Sequence, residues 1–271
     1  MKRLTVLVLV AALSWPALAA AGVSGPMKQV GFHRPPDSAC ASPSGFATPP
    51  GASQTGISWD GSHVLVSCWH DGYIDELSPG GAWQGRLQVV GLPGPGLGAI
   101  AWDADDRVLW ACAIDPAQKA PALSQQIGSV AFDPVTGVGR WQLAGRAPHG
   151  CVNNVDYRAG RVYADGAYKG SSGSSTHVDR SAVLPGLQLQ LSDSGTALWS
   201  PHVSGTVMAA DGSLEWQADN FGQVKSIWHA GVRVEWGSLR FEQLACDEVG
   251  GTVYVKWFIA NRFGVISGLG C

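Results

Sequence analysis

The stretch Leu97–Cys112 reads LGAIAWDADDRVLWAC. An apolar run, Ala99-Ile100-Ala101-Trp102, gives way to Asp103-Ala104-Asp105-Asp106 and then to a second apolar run, Val108–Cys112. Aspartate side chains bond nearby backbone N–H groups and tolerate unusual φ, so the acidic cluster marks a tight turn. β-branched and aromatic residues suit the strands on either side. The stretch is a two-stranded unit, and it recurs. Thr55–Cys68 reads TGISWDGSHVLVSC, with Trp59 standing 43 residues before Trp102 and Cys68 standing 44 before Cys112.

Further copies follow along the chain. The third is Val155–Tyr163, VDYRAGRVY. The fourth joins Thr206–Ala209 to Asp211–Trp216, and the fifth joins Gln243–Asp247 to Thr252–Val255. The units start near Ile57, Ile100, Val155, Val207 and Leu244, at separations of 43, 55, 52 and 37 residues. Each unit has a second half. The first continues through Gly72–Leu77 and resumes at Trp83-Gln84; the second continues through Gly128–Phe132 and resumes at Trp141-Gln142. Four strands per unit at a period of roughly 40–50 residues predict an all-β fold, a β-propeller with about five to six four-stranded blades. A β-sandwich leaves the recurrence unexplained. The loop Lys169–Ser175, KGSSGSS, is a flexible composition that lengthens the third unit.

The start of the chain reads as a secretory signal peptide over residues 1–19. Lys2 and Arg3 precede an apolar run from Leu4 to Leu13, and Ala17-Leu18-Ala19 offers a small-x-small cleavage site. The run breaks at Ser14 and Pro16, which is too short for a membrane span. Residues 20–54, rich in Pro, Ser and Ala, read as an extended lead-in, and 55–271 as a single propeller domain. The expected location is secreted or periplasmic. Removing Lys2 and Arg3 with the leader takes the formal charge from −3 to −5. That balance argues against a nucleic acid or an anionic membrane as partner. A monomer without a membrane anchor is expected.

All six cysteines, Cys40, Cys68, Cys112, Cys151, Cys246 and Cys271, follow the leader, and an even count in an exported chain predicts disulfides with the pairing open. Cys68 and Cys112 end equivalent strands, so core packing as free thiols is the competing expectation for them. Cys271 is expected to be bridged, tying the last segment down so that it closes the ring. Cys246 is its nearest candidate partner in sequence, and Cys40 is the competitor.

Some phrases resemble known repeats. WQADNFGQV, Trp216–Val224, looks like the strand-turn-strand of NHL-repeat propellers, and GISWD and AIAWD resemble the opening strand of that class. The resemblance implies an NHL or TolB-like six-bladed propeller. The chain departs from it in showing five units. Either the ring has five blades, or the lead-in and the C-terminal tail assemble another.

In a propeller, the loops after second strands and before first strands open on one face. That face would collect His70, Asp71, Asp115, Asp165, Asp219, Asn220 and Asn261 from the first kind of loop. The second kind supplies His149, Asn153, Asn154, His202 and Glu242. Asp, Asn, Glu and His gathered at a channel mouth suit Ca2+ or another divalent metal. Turn chemistry alone also predicts these residues, and it is the simpler account. Propellers of the regucalcin and gluconolactonase type, which this class resembles, hold one metal in the channel with Glu, Asn and Asp. Carried over, that role falls to Glu242, Asn153 or Asn154, and Asp219. The strand positions of Trp59, Trp102, Trp110 and Trp216 point to core packing rather than a sugar platform. No G-x-S-x-G, H-E-x-x-H or Walker loop occurs. Two functions follow as expectations. One is a binding module that takes a protein, glycan or small ligand on its loop face. The alternative is a divalent-metal-dependent hydrolase or lactonase, in which the metal polarises a lactone carbonyl.

Overall fold

Strands are the only regular elements among the described residues. The computed structural model describes residues 27–31, 56–69, 71–114, 126–147, 150–152, 154–165, 174–179, 189–190, 192–197, 203–210, 214–219, 225–229, 232–236, 241–257, 261–268 and 270–271. Strand β1 (Lys28–Gly31) comes first. A first antiparallel meander follows: β2 (Ile57–Trp59), β3 (Val64–Ser67), β4 (Tyr73–Leu77) and β5 (Trp83–Val90). A second runs β6 (Gly96–Asp103), β7 (Val108–Ile114), β8 (Gln126–Phe132) and β9 (Val138–Arg146). The third is β10 (Asn154–Arg158), β11 (Arg161–Asp165), β12 (Ser174–Asp179) and, past the short β13 (Leu189–Gln190), β14 (Ser192–Ala197). The fourth is β15 (Val203–Met208), β16 (Leu214–Asp219), β17 (Lys225–His229) and β18 (Val232–Trp236). Last come β19 (Phe241–Asp247), β20 (Thr252–Trp257) and β21 (Arg262–Ser267). The fourth strand of that last meander is β1, which pairs antiparallel with β21.

Among the described residues, the first strands of the five meanders close a cycle. β2 lies against β6, β6 against β10, β10 against β15, β15 against β19, and β19 against β2. At Gly205 the approach of β15 to β19 is so close that a Cβ would come within 2.9 Å of the Gln243 Cα, so only glycine fits there. Each meander is therefore a blade of a β-propeller. The repeat read from the sequence falls on it, since Ile57, Ile100, Val155, Val207 and Leu244 all lie in the innermost strands.

Blades stack face to face, so both faces of a second strand are covered. This explains why β3 and β20 read as nearly unbroken apolar runs, VLVS and TVYVKW, rather than alternating. The core is accordingly divided between blades. Leu65 and Ile74 of the first blade pack with Ile100 and Leu109 of the second. Trp110 and Ile127 of the second meet Val155 and Val162 of the third. Trp216 and Ile227 of the fourth meet Phe241 and Val255 of the fifth. Val30, Tyr254 and Phe263 of the fifth meet Ile57 and Val66 of the first. The outer strands β5 and β9 also pair in parallel, Gln88–Val90 with Val138–Arg140, and β13 adds to β9.

The ring closes in the last blade. A strand from within the 20–54 lead-in, β1, completes the last blade, with Val30 opposite Phe263. Cys246 and Cys271 form a disulfide, their Cα atoms 6.0 Å apart, which ties the C-terminal residue to β19. Cys112 and Cys151 form a second bridge, joining the second blade to the approach of the third. Cys68 is also disulfide-bonded, so Cys68 and Cys112 do not pack as free thiols.

Candidate functional site

Antiparallel neighbours satisfy each blade internally, yet the first strands of adjacent blades share no backbone ladder. Side chains bridge them instead. Trp102 N–H donates to Ser58 Oγ at 2.8 Å, linking β6 to β2. Thr206 N–H donates to Asn154 Oδ1 at 3.1 Å and Met208 N–H to Asp156 Oδ2 at 2.8 Å, linking β15 to β10. Gln243 spans furthest. Ile57 N–H and Ile100 N–H donate to its Oε1 at 3.0 and 3.1 Å, and its Nε2 donates to the carbonyls of Ile100 and Val155, both at 2.7 Å. A carboxamide offers two donors and two acceptor sites, and all four are used. Gln243 is buried at 1% exposure and joins β19 to β2, β6 and β10 across the axis of the ring.

A cavity of about 440 Å³ opens from this level toward the turns between first and second strands. Ile57, Ile100 and Val155, whose backbone Gln243 holds, lie in its wall, together with Val207 and Leu244, so all five innermost strands contribute. Trp59 and Trp102 supply apolar surface, and Trp59 stacks on Tyr254 with ring centroids 5.3 Å apart. Among the described residues the charged lining is lopsided: Asp60, Asp105, Asp156, Asp247 and Glu248 against Arg158. Arg158 pairs with Glu248. Tyr157 Oη donates to Asp105 Oδ2 at 3.1 Å. Asp60 and Asp247 also hold turns, accepting from Ser62 N–H and His63 N–H, and from Gly250 N–H.

Asp156 differs from the turn aspartates because it stands within β10. Burial pushes its carboxyl up to about 7. The N–H groups of Met208 and Tyr157 and the charge of Arg158 oppose that rise, while Glu215 adds to it. Such a group changes protonation near neutrality and is a functional-site candidate on physical grounds.

Near the rim, Asp60 Oδ2 and His63 Nδ1 are 3.1 Å apart, and Glu76 lies close by. Burial raises the Glu76 carboxyl above its ordinary range; His63 works against the rise and Asp60 with it.

Of the loop-face residues singled out from the sequence, the described ones do not line this cavity. Asn154 and Glu242 open β10 and β19, at the opposite ends of those strands from the cavity. Asn154 is buried, and its Nδ2 donates to Thr206 Oγ1 at 2.6 Å; Glu242 is buried at 1% exposure. Asp71, in the turn before β4, accepts from Tyr73 N–H at 2.9 Å. Asn261 is exposed before β21. The backbones of Asp165 and Asp219 end β11 and β16, and their side chains lie outside the description. His70, Asp115, His149, Asn153, His202 and Asn220 lie outside the described residues. Asp156 and Gln243 carried no mark in the sequence beyond their place in the third and fifth copies.

No protein-family model and no curated protein matches the chain. Among solved structures it is similar to the glutaminyl cyclase of Myxococcus xanthus, at TM-score 0.50 and 11% identity, over 79% of this chain and 90% of that one. It is also similar to a protein of the nidogen/laminin complex, at TM-score 0.44 and 12% identity over 80% and 81% of the two chains. A luciferin-regenerating enzyme aligns at TM-score 0.45 and 13% identity over 80% and 77%. All three are propellers. The likeness to the glutaminyl cyclase bears on the fold alone, and it agrees with the blades described above: the chain is a β-propeller.

Proposed function

We propose that the protein is an exported binding module that takes a small cationic ligand, an amine-bearing molecule, in the cavity at the ends of the first strands. The observation that carries this reading is the charge of the cavity wall, among the described residues five carboxyl groups against one guanidinium. A cleft lined by one sign of charge with low-dielectric walls raises the local concentration of the opposite ion. Trp59 and Trp102 offer apolar surface to the ligand's carbon skeleton. The leader-like N-terminus and the disulfides support export.

The test is a thermal melt with 1,4-diaminobutane and, separately, the neutral 1,4-butanediol. A ligand that binds only the folded state raises the melting temperature with concentration. The diamine should do so and the diol should not. The diamine shift should grow as pH rises through about 7, where Asp156 ionises, and that growth should vanish in Asp156→Asn. Equal shifts from diol and diamine, or none from either, would end the reading. The alternative, a divalent-metal hydrolase or lactonase using Glu242, Asn153 or Asn154, and Asp219, is separated by assaying lactone hydrolysis with Ca2+ and with chelator. Chelator-sensitive turnover lost in Glu242→Gln would favour it.

A further inference from the structure

Asp60, His63 and Glu76 each offer one ligand atom, and the three atoms lie within 4.8 Å of one another. Asp60 follows β2, His63 precedes β3, and Glu76 sits on β4 opposite Leu65 and Gly85. Turn chemistry accounts for Asp60 alone. Its Oδ1 accepts from Ser62 N–H at 2.7 Å and His63 N–H at 2.6 Å. The matching turn of the second blade is made by Asp103, which accepts from Asp105 N–H and Asp106 N–H, both at 3.0 Å, with no histidine. The strand position is equally unexplained by the fold. Leu65 pairs with Glu76 in the first blade, whereas its counterpart Leu109 pairs with Val130 in the second, and Val130 is fully buried. A carboxylate thus replaces a core valine beside an imidazole, where neither the blade nor the turn requires it. The neighbouring strand makes room for it: a Cβ on Gly85 would come within 2.7 Å of Glu76 Oε2.

We propose that Asp60, His63 and Glu76 form a transition-metal site, of the Zn2+ class, on the rim of the central cavity. One imidazole with two carboxylates is a borderline donor set that suits Zn2+. Ca2+ takes six to eight oxygens, which three side chains including a histidine do not supply. Two donors bound to Zn2+ in a tetrahedral site stand roughly 3.3 Å apart. Asp60 Oδ2 and His63 Nδ1 are already at 3.1 Å. Glu76, with three side-chain torsions, closes the remaining distance. Three protein ligands leave a coordination position open. Asp60 is part of the cavity wall, so the metal borders whatever the cavity holds. The site is separate from Asn154 and Glu242, at the other ends of their strands, and it stands whether or not the cavity binds amines.

Metal-free protein is loaded with Zn2+, passed through gel filtration and analysed for metal, and loaded separately with Co2+ for visible absorption. About one equivalent of Zn2+ should be retained, and a 100-fold excess of Ca2+ should not displace it. Glu76→Gln and His63→Gln should each weaken Zn2+ binding at least tenfold and change the Co2+ spectrum, with the metal-free melting temperature close to that of the parent. Asp60 is left intact because its carboxylate holds the turn. The near-isosteric Glu76→Gln guards against a His63 variant that fails to fold. No retained Zn2+, displacement by Ca2+, or undiminished binding in a folded Glu76→Gln variant would overturn the proposal.

Discussion

The two ends of the ring axis are built from similar residue types and behave differently. At the end where the first strands begin, Gln243 and Asn154 are buried and turned onto their neighbours: Gln243 onto three strands, Asn154 onto Thr206. At the end where the first strands finish, polar side chains ring an open cavity. Several of them serve turns or one another there, as Asp247 serves Gly250 N–H and Tyr157 serves Asp105. Burial decides the difference. A buried polar group left without its partner costs far more than an exposed one, because water can replace a bond at the mouth but not at the floor. The floor is therefore structure, and the mouth keeps its polar groups within reach of water.

The sharpest way to break this contrast is Gln243→Leu. It strands two N–H groups and two carbonyl bonds, and it should cost on the order of 5 kcal/mol in denaturant unfolding. A loss below about 1 kcal/mol would mean that the floor is not what holds the strands. Next is the double substitution of Cys246 and Cys271 by Ser, which opens a loop of 25 residues. It should cost roughly 3–4 kcal/mol on the chain-entropy account, read by the same unfolding curve.

Asp156→Asn sharpens the comparison through pH. The Asp156 carboxyl has its ordinary pKa near 3.8 in the unfolded chain and about 7 in the fold, so the folded state holds the proton longer. Its contribution to stability is intact below about 4, falls as pH rises to about 7, and then levels off. The Asn variant should lack this fall, making it most stabilising relative to the parent above pH 7. A parallel pH profile for the two proteins would show that the carboxyl is not held neutral. The smallest effect belongs to Tyr157→Phe at the mouth. Its exposed bond to Asp105 should be worth less than about 0.5 kcal/mol, and a larger loss would blur the distinction between floor and mouth.

The sequence makes the blades legible because a blade is a local object. The 43- and 44-residue spacings locate β2, β3, β6 and β7, since each hairpin must bury the same faces against the next blade. The cavity is not local. Five strands far apart in the chain line it, and its wall uses the same Asp-rich turns that any hairpin needs, so Asp60, Asp105 and Asp247 look like turn residues and partly are. The face carrying Asp71, Asn154 and Glu242 showed the same composition. Residue type therefore could not tell the cavity mouth from the opposite face. Gln243 follows Glu242 just before a short apolar run, with no periodicity to betray its span of the axis. Asp156 was visible within the third copy, yet its raised pKa depends on burial among β10, β15 and β16, which no spacing encodes. β1 is four residues long and isolated among Pro, Ser and Ala, too short for an alternation to register.

That strand carries a consequence for the order of events during synthesis. Gln29 on β1 accepts from Arg262 on β21 across 233 positions of chain. The first strand made must wait for nearly the last before its edge is paired, while the four blades between them can form from neighbouring segments. Pairings of such long range are slow. Completion of the last blade therefore falls at the end of folding. Until then β21 keeps one edge open and unpaired, which the chain carries through most of its folding.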